Sequence, residues 1–422
     1  MRKLTTFIIA TALAGTTCAQ SVRTTQEEQM RMARETPEVV SCVYRAYPGP
    51  DATPYTPAPK GYSPVFISHY GRHGSRYLTE DERYTWLLEQ LEKHDLTETG
   101  REVLGKVRIA WKQAEGRGGT LTQLGERQHR EIADRMYRNF PALFKGDQRI
   151  RAYSSTSGRC IMSMTAFCEL LKERNPRLEI LHDACEGNMR FMAYSTPAQK
   201  ALMNDSTEAA CQAYTSQRAK LGKTEAFIHR LFREPGQIKE PYQFMEQFYF
   251  LAQDMQDCGR PTELLSYLAP EEVYNVWRIK NCQMYLSHSD SPLSHGAPAE
   301  CADSLLSHII HDADKALQEN RMGATLRFGH DTALLKLLAR MKVKECSPQT
   351  TDMDNLSLIW QDFNIVPMAA NLQLIFYRNK KGHILVRLLL NENEVHLDLP
   401  TLQAPYYDWN EVKTYWKLHS GK

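Results

Sequence analysis

The residues with the clearest chemical potential follow a short apolar stretch near the start of the chain. The segment His69–Tyr77 reads HYGRHGSRY, so the guanidinium groups of Arg72 and Arg76 flank the imidazole of His73. Guanidinium forks bind phosphate oxygens in bidentate pairs, and a neutral imidazole is a competent nucleophile. An isolated Arg-His-Gly tripeptide usually belongs to a solvated surface loop, so this segment alone does not decide between the two interpretations.

Two later segments carry groups that complement the first. Residues 154–159 read SSTSGR and open a predicted helix, where free N–H groups and the helix dipole favour an anion and Arg159 adds a cation. His330 and Asp331 also precede a predicted helix and add a second imidazole and a carboxylic acid. Either segment alone would usually be an ordinary helix cap. Together the three segments contain a nucleophile, a cationic cradle and a proton donor, which is what cleavage of a phosphate ester needs.

Each of these segments follows a short run of strand-forming residues. Val65–Ser68, Ile150–Tyr153 and Thr325–Phe328 are the predicted strands. Ligands of open α/β sheets bind beyond the carboxyl ends of the strands. We therefore expect the three segments to meet at one edge of a sheet.

The rest of the chain predicts what surrounds that sheet. Helical spacing over Leu121–Phe140 indicates a helix capped by Thr122, and alternation from Leu372 through a Lys-Lys-Gly turn to Leu390 indicates a hairpin. Strands and helices alternate on both sides of a block without convincing strands. The prediction is an α/β fold with a central, mostly parallel sheet flanked by helices and an inserted all-helical cap domain. The core would comprise residues 20–186 and 321–422, and the cap residues 187–320.

Composition and the N-terminus narrow the class of protein. Among 422 residues, 42% are hydrophobic, and 52 Lys and Arg nearly balance 50 Asp and Glu, which argues against nucleic acid as a partner. Residues 1–19 read as a secretory signal peptide, with Arg2 and Lys3 before a short apolar run, so we expect a periplasmic or secreted protein without stable membrane insertion. The residues before Cys18 match a lipobox poorly, which disfavours a lipid anchor. Oligomeric state cannot be deduced.

Cysteines and histidines do not form a metal-binding pattern. No two of the ten cysteines make a C-x-x-C pair, which excludes zinc-ribbon and thioredoxin patterns. Nine cysteines lie beyond Cys18, and an exported chain could pair them in ways the sequence leaves open. His69 and His73 are four residues apart, but Gly71 between them argues against a helical metal pair. We expect neither a metal nor another cofactor.

In these residues the chain resembles the histidine acid phosphatases, the larger branch of the histidine phosphatase superfamily. The family's motifs occur in order from about Val65 to Asn391, with Leu78 where proline is usual. They are R-H-G-x-R at Arg72–Arg76, L-T-x-x-G at Leu121–Gly125, S-T-x-x-R at Ser155–Arg159, His-Asp at His330–Asp331 and V-P-x-A-A at Val366–Ala370.

The resemblance implies a role for each site residue. His73 would be the nucleophile that forms a phosphohistidine, and Asp331 would protonate the leaving oxygen. The phosphoryl oxygens would be held by Arg72, Arg76, Arg159 and His330. The substrate would be a small phosphate ester, cleaved by an exported acid phosphatase without a metal.

Two features point to different subgroups of the family. We call the segment Arg72–Tyr77 around His73 the nucleophile loop. Its Arg76-Tyr77 pair is similar to the corresponding residues of the multiple inositol polyphosphate phosphatases, which are phytate-degrading enzymes. Those enzymes usually carry His-Ala-Glu as the motif that contains the proton donor. Here the donor motif is His330-Asp331-Thr332, which resembles periplasmic acid phosphatases and bacterial phytases. Phytate is the first choice of substrate. The alternatives are a broad-specificity or sugar-phosphate acid phosphatase and, in another class, a non-catalytic phosphate-binding protein.

Overall fold

A computed structural model describes residues 24–192, 208–260, 263–319 and 321–418 of the chain. The predicted signal peptide and Cys18 lie outside these residues. One mixed sheet runs through the described part in the order β3-β2-β4-β1-β5-β6-β7, with β8 paired to β6. The strands are β1 Tyr62–Arg72, β2 Arg149–Ser154, β3 Glu179–Asp183, β4 Met322–Gly329, β5 Asn371–Asn379, β6 Ile384–Leu390, β7 Asn393–Val395 and β8 Tyr407–Asp408.

The sheet has a parallel half and an antiparallel half that meet at β1. Strands β3, β2, β4 and β1 run parallel, and β5 to β8 join by antiparallel pairing. The predicted C-terminal hairpin is confirmed as β5 and β6, and Gly382 in its turn adopts a φ of +83° that favours glycine. Crossovers between parallel strands require long connections, and helices supply them here.

Helices cover the sheet and fill the chain between its strands. The predicted helix after Leu121 is confirmed, and Thr122 caps it by accepting a hydrogen bond from the Gly125 N–H. The described residues between β3 and β4 form no strand. The helices are α1 Gln26–Glu35, α2 Glu82–Glu92, α3 Glu98–Ala114, α4 Gln123–Asn139, α5 Gly158–Arg174, α6 Glu208–Leu221, α7 Glu225–Leu231, α8 Pro241–Asp254, α9 Pro270–His288, α10 Ala297–Glu300, α11 Asp303–Ala316, α12 Asp331–Arg340, α13 Leu356–Ile359, α14 Asp362–Ile365 and α15 Trp409–Leu418.

Three apolar clusters hold these elements together. Helices α4 and α5 pack on one face of the sheet, and α11, α12 and α15 pack on the other. The third cluster joins α2 and α3 to α7, α8 and α9, so helices from before and after β2 share one core. This helical layer stands beside the strand ends, where it can supply side chains to a site at the sheet edge.

The described residues also bear on the predictions about membrane insertion and cysteine pairing. None of the helices in the described residues is long and apolar enough to cross a membrane. All nine cysteines beyond Cys18 fall within the described residues, and each is a free thiol.

Candidate active site

The three predicted segments meet because their strands end in register. Strand β4 lies between β2 and β1, and Arg72 pairs with Gly329 while Ser154 pairs with Phe328. Backbone bonding continues past the strands, since the His73 N–H donates to the Gly329 carbonyl at 3.0 Å. The structure thus brings together all the residues that the sequence analysis selected, at the carboxyl edge of the parallel half-sheet.

His73 is held as a neutral imidazole with one nitrogen available. Its Nδ1 lies 2.9 Å from the Gly74 carbonyl oxygen, which can only accept, so Nδ1 carries the hydrogen and Nε2 keeps its lone pair. Burial, and then the charges of Arg72, Arg76 and Arg159, hold the pKa of His73 well below its usual range. A neutral, oriented imidazole is the reactive form of a histidine nucleophile.

Arg72 is anchored on one side and open on the other. Its side chain is fully buried, and Nη1 donates to the carbonyls of Val43 at 2.6 Å and Val366 at 2.7 Å. Its Nε is buried without a hydrogen-bond acceptor among the described residues, and its Nη2 faces the carboxylate of Asp331 at 3.0 Å. Such donors are costly to leave unsatisfied, so this half of the guanidinium is built for an anionic ligand.

Arg76 and Arg159 repeat this arrangement. Each has a buried Nε that finds no acceptor within the described part of the chain. Burial alone would lower the pKa of Arg76, but Tyr44 and Asp254 outweigh it and raise the pKa. The guanidinium carbon of Arg76 lies 5.0 Å from the centre of the Tyr44 ring. Three fixed cations with open donors therefore surround the His73 imidazole.

His330 is a member of the site rather than a helix cap. Its ring centre is 5.7 Å from that of His73, and Arg159 Nη2 lies 3.5 Å from its Nδ1. Ser155 Oγ is 3.2 Å from His330 Nε2, so the Ser/Thr cluster orients the imidazole instead of capping α5. Neither Ser157 nor His330 makes a side-chain capping bond to its helix. Burial and the charge of Arg159 lower the pKa of His330 to about 3.

Asp331 is the carboxyl group of the site and is paired in the absence of ligand. Its Oδ2 lies 3.0 Å from Arg72 Nη2, and its Oδ1 accepts the Thr332 N–H at 2.7 Å. Burial raises the pKa of Asp331, but Arg72 and His330 outweigh burial and hold the pKa below its usual value. The side chain remains 16% exposed, so it faces the side from which a substrate would enter. In the free site this carboxyl is therefore ionised, whereas a proton donor has to be protonated before it reacts.

Sequence reasoning missed two carboxylic acids from the helical segment between β3 and β4. Asp254, at the end of α8, has Oδ1 3.6 Å from Arg76 Nη1, and Asp257 accepts a 2.6 Å hydrogen bond from Ser75 Oγ. Burial raises the pKa of Asp254 to about 7, and burial together with the charge of Asp254 raises the pKa of Asp257 well above its usual range. The only sequence signal was two aspartates three residues apart just after an apolar helix, and that spacing is common on solvated surfaces.

The V-P-x-A-A segment lies directly behind the nucleophile loop. Ala370 accepts the Arg72 N–H through its carbonyl at 2.7 Å, and the Ala369 N–H donates to the His73 carbonyl at 2.9 Å. With Val366 also accepting from the Arg72 side chain, this segment fixes both the backbone and the guanidinium of Arg72. The sequence identified the motif but gave it no role.

His69 and the other possible metal ligands are also placed by the structure. His69 is packed against Phe167 and Phe328, with ring centres 5.4 and 5.3 Å apart, so it serves the core. Within the four described ranges, no three His, Cys, Asp or Glu side chains are grouped so as to hold a metal ion.

An imidazole with a free Nε2, ringed by arginines at the strand ends of an α/β sheet, has the groups that hydrolysis of a phosphate monoester requires. The family model described as histidine phosphatase superfamily (branch 2) matches residues 71–391, which include every site residue named above. The chain belongs to this family.

Individual relatives agree with the family. The chain is 22% identical over 394 residues to human multiple inositol polyphosphate phosphatase 1, covering 84% of this chain and 79% of that protein. It resembles the Bifidobacterium longum multiple inositol polyphosphate phosphatase in complex with inositol hexasulfate, with a TM-score of 0.76, 17% identity and coverage of 89% and 97%. The phytase from D. castellii gives a TM-score of 0.68 at 13% identity, covering 98% of this chain and 90% of that one. At such identities the solved structures establish the shared fold.

Proposed function

We propose that this protein is an acid phosphatase that acts through a phosphohistidine intermediate, with inositol polyphosphates, phytate first among them, as its substrates. One observation carries the proposal: buried arginine N–H groups without acceptors surround a neutral His73 whose Nε2 is free. A pocket that only bound phosphate would not need an unprotonated nucleophile at its centre.

In the first step His73 Nε2 attacks phosphorus as the bond from phosphorus to the ester oxygen breaks. The transferring group spreads negative charge over its equatorial oxygens, and the open donors of Arg72, Arg76 and Arg159 receive that charge. Asp331, which takes up the proton that a monoanionic phosphate ester carries into the site, transfers it to the departing ester oxygen. The products are a free alcohol and His73 bonded to the phosphoryl group.

In the second step water replaces the alcohol. The Asp331 carboxylate accepts a proton from the water as its oxygen attacks phosphorus, and the phosphorus–nitrogen bond breaks. Phosphate leaves, His73 returns to the neutral form, and Asp331 carries the proton for release or reuse. Loss of that proton returns Asp331 to the ionised form that it has in the free site. We propose that these cations provide the electrostatic stabilisation without a divalent metal.

The preference for inositol polyphosphates rests on the relatives. The human and Bifidobacterium proteins are named multiple inositol polyphosphate phosphatases, and the second was solved with inositol hexasulfate. The Arg76-Tyr77 pair in the nucleophile loop supports the same substrate class. The alternative is a broad-specificity or sugar-phosphate acid phosphatase, which the His330-Asp331-Thr332 motif favours.

We further propose that the protein is exported. The N-terminal pattern of residues 1–19 supports this. Residues 20–186 with 321–422 would form the catalytic core, and residues 187–320 the helical cap. The contacts of Asp254 and Asp257 with the nucleophile loop favour a cap that helps to build the site.

Trapping the intermediate tests the mechanism. The protein is mixed with ³²P-labelled phosphate ester, quenched in alkaline denaturant, and examined for label on His73. We expect labelled wild type, and unlabelled, inactive His73→Gln with an unchanged circular dichroism spectrum. His94→Gln, which changes a histidine in the turn after α2, is the matched control and should label normally. Unlabelled wild type that still binds the ester would instead indicate a non-catalytic phosphate-binding protein.

A substrate panel separates the two candidate substrate classes. Phytate, glucose 1-phosphate and p-nitrophenyl phosphate are compared by kcat/KM with chelator present. The proposal expects phytate to exceed glucose 1-phosphate. Equal values would favour the broad-specificity alternative, and loss of activity in chelator would contradict the metal-free mechanism.

A further inference from the structure

A second cavity lies beside the nucleophile loop and has no assigned role. It has a volume of about 790 Å³, within the range typical of small-molecule sites. The end of α3, the start of α4 and the turn after α8 form its walls. Lys112 comes from α3, Arg117 from the following turn and Arg127 from α4.

The three cations of this cavity, Lys112, Arg117 and Arg127, lack acidic partners. No carboxylate of the described residues lies within 4.0 Å of any of them. The contact of Arg117 is with Tyr77, whose hydroxyl oxygen accepts from Nη1 at 3.3 Å. By contrast Arg130, which follows Arg127 by three residues in α4, pairs with Glu173 at 2.6 Å. Like charges gathered without counterions raise one another's energy, and an anion would relieve it.

The one carboxyl group that lines the cavity does not offset this charge. Asp257 is 1% exposed and already accepts from Ser75, and burial with the charge of Asp254 raises its pKa well above the usual range. Neutral donors add to the cations. The N–H groups of Gln123 and Leu124 begin α4 and can have no acceptor within the helix.

The cavity is separate from the phosphate site. None of the six site residues lines it. The nucleophile loop pairs in an extended conformation with the segment before α4, because the Tyr77 N–H donates to Thr120 and the Thr122 N–H donates to Ser75. Successive side chains of an extended segment point to opposite sides, so Arg76 faces the phosphate site while Tyr77 faces the cavity.

We propose that this cavity is a second anion site that binds a small molecule carrying several phosphate groups. Cations on three separate elements suit a ligand with several charged groups better than a single phosphate ion. The site needs no turnover, so it goes beyond the proposed reaction and can be tested apart from it.

Binding stoichiometry tests the site with inositol hexasulfate, a polyanion that is not a phosphate ester. Isothermal titration at physiological salt should give two sites on the wild-type protein. Lys112→Gln/Arg117→Gln/Arg127→Gln should retain one site and weaken the other about tenfold or more. Arg76→Ala/Arg159→Ala should lose the phosphate site and keep the cavity site, which shows the cavity's occupancy without any catalysis.

A charge-matched variant guards against a general electrostatic effect. Lys60, Lys380 and Lys381 are exposed, without ion pairs among the described residues, and lie at the opposite end of β1, where Tyr62 pairs with Asn379. Lys60→Gln/Lys380→Gln/Lys381→Gln should keep both sites. One site on the wild type, or a second site that survives the cavity variant, would overturn the proposal. So would an equal loss in the charge-matched variant.

Discussion

The proton on which the reaction depends is not stored on Asp331 in the free site. Arg72 at 3.0 Å, with His330 nearby, keeps that carboxyl ionised despite its burial. A phosphate monoester has a second pKa near 6, so in acid its monoanion can carry the proton into the site. Once phosphoryl oxygens compete for Arg72, the carboxylate loses its counterion and gains affinity for that proton. Asp331 therefore becomes a protonated donor only when the phosphate ester is bound beside it.

Proton delivery by the substrate predicts the pH dependence of kcat/KM. The value should fall about tenfold per pH unit above about pH 6, as the ester loses the proton it delivers. Below about pH 6 the value should not show the loss that protonation of an ordinary histidine near pH 6.5 would cause, because the pKa of His73 lies well below its usual range. A profile of kcat/KM against pH with an alkyl phosphate measures the dependence on both sides of about pH 6. A value of kcat/KM that rises through pH 8 would contradict this assignment.

The donor role of Asp331 predicts a dependence on the leaving group. Asp331→Asn keeps the size of the side chain but carries no transferable proton. Alkyl phosphates, with poor leaving groups, should lose about 10²–10⁴-fold in kcat, and p-nitrophenyl phosphate far less. The measurement is kcat for both esters in the same variant. Equal losses for the two would show that Asp331 positions Arg72 rather than donating a proton.

At the scale of elements, the start of α4 fixes the shape of the nucleophile loop. A Cβ on Gly125 would lie 2.2 Å from the Ser75 carbonyl oxygen, and one on Gly74 would lie 2.5 Å from the Gly125 carbonyl oxygen. Gln128, one turn further along α4, accepts the Ser75 N–H at 2.9 Å and donates to Ser75 Oγ. The helix and the loop therefore have no room for a side chain between them.

Replacing that glycine should displace the loop. Gly125→Ala is expected to lower kcat/KM by about 10²-fold or more, since a displacement near 1 Å suffices for such a loss. Gly105→Ala on α3 is the matched control, because a Cβ there meets nothing within 4 Å. The control should keep full activity and raise the unfolding free energy by up to about 1 kcal/mol. Full activity in Gly125→Ala with an unchanged melting temperature would refute the close fit.

For the whole molecule, buried histidines set stability against acid. A histidine whose folded pKa is lowered stays neutral while the unfolded chain takes up a proton below about pH 6.5, so stability is lost as pH falls. Groups with a raised folded pKa act in the opposite direction and stabilise the fold as pH falls. The first set is His69, His73, His129, His288, His308 and His330, and the second is Asp254, Asp257, Asp362 and His396.

Because the first set is larger, the protein should be less stable at pH 5 than at pH 7. Each histidine that stays neutral contributes a slope of about 1.4 kcal/mol per pH unit below pH 6.5. Urea denaturation at both values measures the difference, in buffers free of phosphate and sulfate, which would bind the folded state. His129→Leu should reduce the proton uptake on unfolding by about one. A urea denaturation midpoint that is higher at pH 5 than at pH 7 would contradict the prediction.

Much of the fold follows from local patterns in the sequence. Thr122 ahead of an apolar helical stripe, the alternation around Leu372 and the short runs Val65–Ser68 and Thr325–Phe328 are consequences of neighbouring residues. The corresponding elements are present, with β1 continuing to Arg72 and β4 to Gly329. What local patterns could not predict is the pairing of distant elements, such as α2 and α3 sharing one core with α8 and α9. Those contacts depend on apolar faces that many partners would satisfy.

The sequence by itself determined the reactive groups, because an imidazole between two guanidiniums, a further arginine and a His-Asp pair each follow a strand, and parallel strands end together. Only the tertiary structure decided the state of those groups. Burial keeps His73 neutral, Arg72 keeps Asp331 ionised, and Asp254 and Asp257 reach the nucleophile loop from a segment nearly two hundred residues away. Charge interactions depend on distance and solvent exposure in space, and neither quantity is present in the order of residues along a chain.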